Sequence, residues 1–442
     1  MMQNLRVYKD NIKIFGKEIC QKFKSLIVID DMQNIHLGIL EETKDIAFLQ
    51  DILRAYFNPL PSCVILSEKF FYHHLRFLDI QEKIYKSQSD IKEFFALILK
   101  EAILMDASDI HLENFNENAW IRFRIDGELC EVCEIEREVF EALCLKIKLE
   151  SKLDITEIKQ SQDGRFNFFY NALQYDFRIS CVPTYNGQSL VLRILHKQKQ
   201  QINLHSLGIS KNHLDLILDQ ITKKHGIILL TGPTGSGKST TLYAILENFK
   251  SSKKKIITLE DPVEYKIPYA TQIQVVAESN FSFSQALSAV LRQDPDIIMV
   301  GEIRDLKTLE LAFRASLTGH LVFATLHTND TKSALDRLVD MGMSKHNILS
   351  SLLMIVSQRL FKKACKNCQK KMEEKYISIG CEVCNFQGFV GREVATEVLV
   401  LSKEVKRAIK EDNLEEYLDL IGFETLDKNA SKKYDEGKIL LD

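Results

Sequence analysis

The strongest chemical pattern in this sequence is a run of residues from Gly232 to Ser239 that fits G-x-x-x-x-G-K-[ST] in full. An apolar run from Gly226 to Thr231 precedes it and is typical of a buried parallel strand. A helical pattern follows from Thr240 to Phe249. Because strand, glycine-rich loop and helix in this order form a phosphate-binding loop, the segment predicts binding of a nucleoside triphosphate. The alternative, a glycine-rich turn that matches by chance, is disfavoured by the flanking strand and helix.

The residue types in this loop suit a triphosphate with bound magnesium. Glycines allow the backbone to pass close to the phosphates, so that its N–H groups can bind their oxygens. Lys238 would place a positive charge at the β- and γ-phosphates, and the hydroxyl of Ser239 would hold Mg²⁺. The predicted nucleotide contacts are Gly232, Pro233, Thr234, Gly235, Ser236, Gly237, Lys238, Ser239 and Thr240.

Two glutamates follow predicted strands, at the edge of a parallel sheet where ligands bind. Glu260 comes after the strand that begins at Lys255, where it can orient an attacking water. Glu302 closes the buried run Ile297–Val300, a position suited to Mg²⁺ or its water ligands. For either glutamate, the alternative is capping of a helix.

Histidines stand at both ends of another predicted strand, Leu321 to Leu326. His320 precedes this strand and His327 follows it, which suggests coupling to a neighbouring site. For each histidine, the alternative is an imidazole whose hydrogen bonds are satisfied locally. Both are candidate catalytic residues.

A second strong pattern consists of two Cys-x-x-Cys pairs separated by twelve residues. The four cysteines are Cys365, Cys368, Cys381 and Cys384. Four thiolates can surround Zn²⁺ tetrahedrally and leave no open coordination position, so the pattern predicts structural zinc. Free thiols are the alternative.

Length and composition exclude several classes of protein. The chain has 442 residues, enough for three domains of about 150 residues each. Its net charge of −3 gives no global basic field for nucleic acid. Neither a signal peptide nor an apolar stretch of about 20 residues is evident. Ten cysteines without a secretory signal indicate a reducing cytosol.

These patterns divide the chain into successive segments. Residues 1–88 carry no pattern with assignable chemistry and are expected to form a small α-rich or mixed domain. Residues 89–197 alternate helices and strands as in an α+β domain, and residues 198–205 form a polar linker. Residues 206–442 hold the α/β phosphate-binding domain, with the zinc knuckle at 362–391.

Several stretches resemble, in order, motifs of the secretion and type IV pilus ATPases. Thr258–Tyr265 resembles their acidic box, Leu291–Asp305 their Walker B region and Thr318–Asn329 their histidine box. Upstream, Asp106–Glu113 and Arg122–Gly127 resemble the domain that precedes their RecA-like core. The resemblance is specific because independent motifs recur in one order.

The resemblance implies an α/β protein with a P-loop RecA-like core. An α+β (PAS-like) domain and a small N-terminal docking domain would precede the core, and a tetracysteine zinc knuckle would lie within its domain. Arg178 and Arg193 fall where the family places nucleotide-contacting arginines. Without the resemblance, pairing of these arginines with surface carboxylates is the simpler interpretation.

The resemblance also implies an activity and partners. The chain would be a hexameric ATPase, peripheral at the cytoplasmic face of an inner membrane. It would hydrolyse ATP with Mg²⁺ and drive pilus or pseudopilus assembly for type II secretion, type IV pili or DNA uptake. Its partners would be other copies of the chain and the platform and docking proteins of the machine, without direct contact with nucleic acid. A nucleotide-gated scaffold without useful turnover and a pilus retraction motor remain as alternatives.

Overall fold

A computed structural model shows two compact units. The first contains residues 1–197, 365–369 and 378–390, and the second contains residues 198–364, 370–377 and 391–442. The structure describes residues 5–87, 90–115, 118–195, 203–250, 253–264, 266–275, 281–372, 375–384 and 387–440. Residues 198–202 of the predicted linker therefore lie outside the described part of the chain.

A four-stranded sheet with helices begins the first unit. Its strands are β1 (Arg6–Val7), β2 (Ser25–Ile29), β3 (Ile35–Ile39) and β4 (Ser62–Ile65), in the order β1-β2-β3-β4. Its helices are α1 (Asn11–Ile14), α2 (Gly16–Phe23), α3 (Ile46–Leu53) and α4 (Glu68–Ser87). Leu26, Ile27 and Val28 are fully buried, so β2 forms the centre of this small core.

A six-stranded antiparallel sheet follows. Its elements are α5 (Ile91–Leu104), β5 (Asp109–Phe115), β6 (Asn118–Ile125), β7 (Glu128–Glu136), α6 (Arg137–Glu150), β8 (Gln162–Tyr170), β9 (Leu173–Thr184) and β10 (Gly187–Leu195). The strand order is β7-β6-β5-β10-β9-β8. Helix α5 begins after Asp90, whose carboxylate accepts hydrogen bonds from two backbone N–H groups of the first turn. Phe94 of this helix and Phe177 of β9 belong to one core, which covers one face of the sheet. Alternate residues of a strand point to opposite faces, so the residues between the core positions lie on the other face of this sheet.

The second unit is built on a mainly parallel sheet. The strands of the remaining chain are β11 (Gly226–Thr231), β12 (Ile256–Glu260), β13 (Ala270–Gln274), β14 (Ile297–Val300), β15 (Leu321–Leu326), β16 (Leu352–Ala364), β17 (Gln369–Met372), β18 (Lys375–Ser378) and β19 (Phe389–Val400). Seven of them form a sheet in the order β13-β12-β14-β15-β11-β16-β19, and β17 pairs with β18. Strands β11, β14 and β15 are buried along their whole length because separate apolar clusters cover the two faces of the sheet.

Helices and short turns complete the second unit and its C-terminal region. The helices are α7 (Lys211–Ile221), α8 (Lys238–Glu247), α9 (Phe283–Val290), α10 (Leu306–Leu317), α11 (Thr331–Asp340), α12 (Lys345–Ser351), α13 (Lys403–Lys410), α14 (Leu414–Leu420) and α15 (Leu426–Asp435). None of the described helices is long and apolar enough to span a bilayer. The predicted fold class, an α/β protein with a P-loop core, an α+β region and a tetracysteine cluster, is confirmed.

Candidate functional site

The glycine-rich loop connects the end of β11 to the start of α8. Gly232 and Gly237 have positive φ angles of 145° and 87°, which favour glycine. A Cβ atom on Gly232 would lie 2.4 Å from the carbonyl oxygen of Gln358, so β16 passes directly beside the loop. The side-chain amide of Gln358 donates a 2.7 Å hydrogen bond to the carbonyl oxygen of Ser236. Strand β16 therefore supports the loop from within the sheet.

The amine of Lys238 is folded over this loop. It donates hydrogen bonds to the carbonyl oxygens of Gly232 at 2.7 Å and Pro233 at 3.0 Å. Burial lowers the pKa of Lys238, and the negative charge of Glu302 opposes that shift. Ser239 follows in the first turn of α8, where the free N–H groups and the helix dipole favour an anion. These groups can bind a phosphate chain.

Parallel pairing places the carboxyl ends of neighbouring strands along one edge of the sheet. Strand β11 pairs with β15, β15 with β14 and β14 with β12, all in parallel. Glu260 is the last residue of β12, Glu302 comes two residues after β14, and His327 follows β15 directly. The three side chains therefore belong to the same edge as the phosphate-binding loop.

Glu302 is a half-buried carboxylate between an arginine and a histidine. Its side chain is 14% exposed. Arg304 forms an ion pair with Oε1, and Nε2 of His327 lies 3.6 Å from Oε2. A carboxylate held in this way can accept hydrogen bonds from the water ligands of a metal ion.

Glu260 is more deeply buried and is held by three donors. It is 4% exposed. The hydroxyl of Thr258 and the side-chain amide of Gln272 donate to Oε1, and the hydroxyl of Tyr243 donates to Oε2. Thr258 lies on the same strand as Glu260, Gln272 on β13 and Tyr243 on α8. The orientation of this carboxylate is therefore fixed from three elements.

His320 precedes β15 and so lies at the amino-terminal end of this strand, opposite the end at which His327 lies. Its Nδ1 atom is 2.9 Å from the carbonyl oxygen of Ala315, and its own carbonyl oxygen accepts a hydrogen bond from Gly226 at the start of β11. The six residues of β15 span about 20 Å between the two histidines. The structure thus brings His327, but not His320, beside Glu302. A catalytic role for His320 stays a prediction.

Three arginines form a row across neighbouring strands of the six-stranded sheet. Arg178 of β9 lies opposite Arg165 of β8 and opposite Arg193 of β10. Nε of Arg193 donates a 2.9 Å hydrogen bond to Asp109 of β5, and the Arg193 side chain is 66% exposed. Asp109 in turn lies opposite Arg124 of β6. Because like charges opposite one another repel, a bound anion would stabilise this row.

The four predicted zinc ligands lie together. Their sulfur atoms are all within 4.8 Å of one another. The Sγ–Sγ distances are 3.8 Å for Cys365–Cys381, 3.7 Å for Cys368–Cys384 and 3.8 Å for Cys381–Cys384. A tetrahedral site with Zn–S bonds of about 2.3 Å has sulfur–sulfur separations of about 3.8 Å, so this donor set fits zinc.

Polar groups around the cysteines add to this fit. The backbone N–H groups of Cys381 and Gly388 each lie 3.2 Å from Sγ of Cys384 and donate to it. The side-chain amide of Asn367 donates to Sγ of Cys381, and this hydrogen bond lowers the pKa of Cys381 to about 6. Such donors stabilise thiolates and orient metal ligands.

Sequence reasoning missed several side chains that hold the site. They are Tyr243, Thr258, Gln272 and Gln358. A local signal existed for Thr258, because a residue two positions before Glu260 in a strand shares its face. The contacts of the other three depend on packing between elements distant in sequence, which no local pattern reveals.

Comparisons with known proteins identify relatives. Residues 85–442 match the family model described as Type II/IV secretion system protein. The type II secretion system protein HxcR of Pseudomonas aeruginosa is 44% identical over 321 residues, which cover 73% of this chain and 68% of that protein. The type IV pilus assembly ATPase PilB of Thermus thermophilus is 39% identical over 341 residues, which cover 73% of this chain and 38% of that protein. The crystal structure of the pilus retraction motor PilT with bound ADP has a TM-score of 0.57 at 31% identity, covering 78% of this chain and 94% of that one.

Proposed function

The chain belongs to the type II/IV secretion system protein family, and we propose that it is an ATP-driven motor that assembles a pilus or pseudopilus. Members of this family are ATPases, so the reaction is hydrolysis of ATP to ADP and phosphate. The observation that carries the proposal is the shared sheet edge at which the phosphate-binding loop meets two buried or half-buried glutamates.

Each residue at this edge has a distinct proposed role. Lys238 exchanges its two carbonyl acceptors for oxygens of the β- and γ-phosphates. Ser239 would hold Mg²⁺, which would supply positive charge to the phosphates, and Glu302 would accept hydrogen bonds from water beside that ion. Glu260 orients the attacking water, and His327 stays beside Glu302 and senses the γ-phosphate.

Arg178 and Arg193 are proposed to contact the nucleotide as well. Negative charge develops further at the γ-phosphoryl group during hydrolysis, and an arginine at that group stabilises it. The row of arginines across β8, β9 and β10 supports this role, since positively charged residues at directly opposite positions of neighbouring strands suit an anion.

The cysteine cluster is proposed to hold one structural Zn²⁺. Four sulfur ligands fill a tetrahedral site, so the ion would stabilise the knuckle at 362–391 without taking part in hydrolysis. The spacing of the sulfur atoms supports this assignment.

The motor is proposed to work as a homohexamer, peripheral at the cytoplasmic face of an inner membrane. Residues 1–88 would dock onto a membrane-anchored partner, and residues 89–197 would carry the nucleotide-contacting arginines. The domain at 206–442 would hydrolyse ATP, with a linker at 198–205 between the two. Inner-membrane platform and docking proteins would complete the machine, with no direct contact to nucleic acid. The relatives named for type II secretion and for pilus assembly support a machine of this kind.

A pilus retraction motor is the second candidate, because the chain shares its fold with such a motor at 31% identity. The tetracysteine cluster and the additional N-terminal sheet favour assembly, since both fit the assembly branch of the family. A nucleotide-gated scaffold would bind ATP without useful turnover.

A measurement of phosphate released from ATP by the purified protein, in the presence of Mg²⁺, tests the motor directly. Turnover that is lost in Lys238→Ala supports hydrolysis at this loop. Tight ATP binding without phosphate release, under conditions in which the protein is hexameric, would identify a scaffold and contradict the motor.

A further inference from the structure

Tyr243 connects the helix that follows the phosphate-binding loop to the carboxylate of Glu260. Helix α8 begins at Lys238, and Ser239 and Tyr243 lie four residues apart, one turn along the same face. The Tyr243 hydroxyl donates to Oε2 of Glu260 and accepts a hydrogen bond of 3.4 Å from the backbone N–H of Glu264. One phenol group thus attaches α8 to the end of β12 and to the segment beyond it.

The two oxygens of Glu260 have different surroundings. Oε1 accepts hydrogen bonds from Thr258 and Gln272, whereas Oε2 accepts one from Tyr243. Each carboxylate oxygen accepts about two hydrogen bonds, so Oε1 is filled and Oε2 keeps capacity for one more donor. Oε2 is therefore the oxygen suited to a water molecule, and the Tyr243 hydroxyl sets its direction.

Tyr243 is held in its neutral, hydrogen-bond-donating form. Burial raises the pKa of Tyr243, and the negative charge of Glu260 adds to the shift. A donor to the ionised carboxylate favours that ionised form, which Glu260 needs in order to orient or activate a water.

We propose that Tyr243 is a positioning residue for ATP hydrolysis, whose hydroxyl aims Oε2 of Glu260 at the attacking water. The inference rests on the proposed hydrolysis of ATP and on the proposed role of Glu260. The same helix carries Lys238 and Ser239, so the residue that orients Glu260 and the residues that bind the phosphates lie within two turns of one element.

Tyr243→Phe removes the hydroxyl and keeps the ring. We expect kcat to fall about 10- to 100-fold, because Glu260 keeps its carboxylate but loses the hydrogen bond that orients it toward the water. The KM and Kd for ATP stay within about two-fold, because the lost hydroxyl acts on Glu260 and not on the nucleotide. Tyr417 is a half-buried tyrosine of α14, so Tyr417→Phe is the matched control and leaves kcat, KM and Kd unchanged.

Glu260→Gln separates failure of this inference from failure of the proposed function. If the wild type turns over and Glu260→Gln does not, a Tyr243→Phe variant with wild-type kcat shows that the inference is wrong, while the proposed function stands. If Glu260→Gln hydrolyses ATP at the wild-type rate, the role of Glu260 is wrong and the inference falls with it.

A second measurement covers the case in which circular dichroism shows that Tyr243→Phe does not fold. Incorporation of 3-fluorotyrosine at position 243 keeps the ring and makes the hydroxyl a stronger donor. The kcat must then change while the KM and Kd for ATP stay within about two-fold, and a kcat that does not change contradicts the inference.

Discussion

Arg178 lies directly opposite Arg193 in the antiparallel ladder between β9 and β10. Directly opposite residues share a face of the sheet, so the two positively charged side chains start from adjacent positions on that face. Arg165 lies opposite Arg178 on the other side, and the three arginines therefore form a row of positive charge that suits an anion.

Replacement of either arginine tests this interpretation. Arg178→Ala and Arg193→Ala should each lower ATP turnover by roughly 10³-fold, the range expected for an arginine that stabilises the developing γ-phosphoryl charge. ATP binding, measured by calorimetry, should stay within a few-fold. Arg137→Ala is the matched control, because Arg137 belongs to the same unit and forms only an exposed ion pair with Glu141.

Normal turnover in both variants would identify Arg178 and Arg193 as surface ion-pair residues. The hydrogen bond between Arg193 and Asp109 would then be the function of that arginine.

The contact between Gln358 and the phosphate-binding loop leads to a second prediction. Gln358→Ala leaves the buried carbonyl oxygen of Ser236 without its donor, which costs about 1–3 kcal/mol. We expect the affinity for ATP to fall about ten-fold, because the loop loses the side chain that holds its shape. Calorimetric titration with ATP measures the change. Gln160→Ala, at an exposed position of the other unit, serves as the control, and an unchanged Kd in Gln358→Ala would contradict the prediction.

Binding and hydrolysis should separate at Glu302. Glu302→Gln keeps the size of the side chain and removes its charge, so we expect ATP binding to persist and turnover to fall by about 10² or more. Lys238→Ala should lose ATP binding as well as turnover, since its amine is the group proposed to bind the β- and γ-phosphates. Glu310→Gln, an exposed glutamate of α10, is the control. Wild-type phosphate release by Glu302→Gln would exclude the assignment of Glu302.

The sequence predicted the elements that local patterns encode. Strands β11, β14 and β15 have the observed bounds because each is a short apolar run between turn residues. The expected positions of Glu260 and Glu302 then followed from the rule that the carboxyl ends of parallel strands share an edge.

Strand order and register could not be predicted in the same way. Gln358 reaches Ser236 because β16 inserts beside β11, although the two strands are more than 120 residues apart in sequence. The alignment of Arg165, Arg178 and Arg193 likewise depends on the registers of two hairpins. A shift of one residue in either hairpin would turn an arginine to the other face. Such relationships arise from packing energies summed over whole sheets.

The last prediction concerns the metal at the cysteine cluster. Protein purified without chelator should contain one equivalent of zinc per chain, measured by elemental analysis. Four sulfur atoms within 4.8 Å of one another would repel as thiolates without a cation among them, and zinc removes that repulsion. Cys381→Ser should lose the zinc, whereas Cys63→Ser, at an exposed cysteine of β4, should keep it.

Removal of the zinc should affect stability and not nucleotide binding. A strong chelator, or Cys381→Ser, should lower the melting temperature of the transition that includes this region by about 5 °C or more, because metal binding free energy is also folding free energy. The Kd for ATP should stay within about two-fold, since a closed four-sulfur site holds structure and offers no open position to a ligand. Protein that contains no zinc and melts at the same temperature with and without chelator would show that the four cysteines are free thiols.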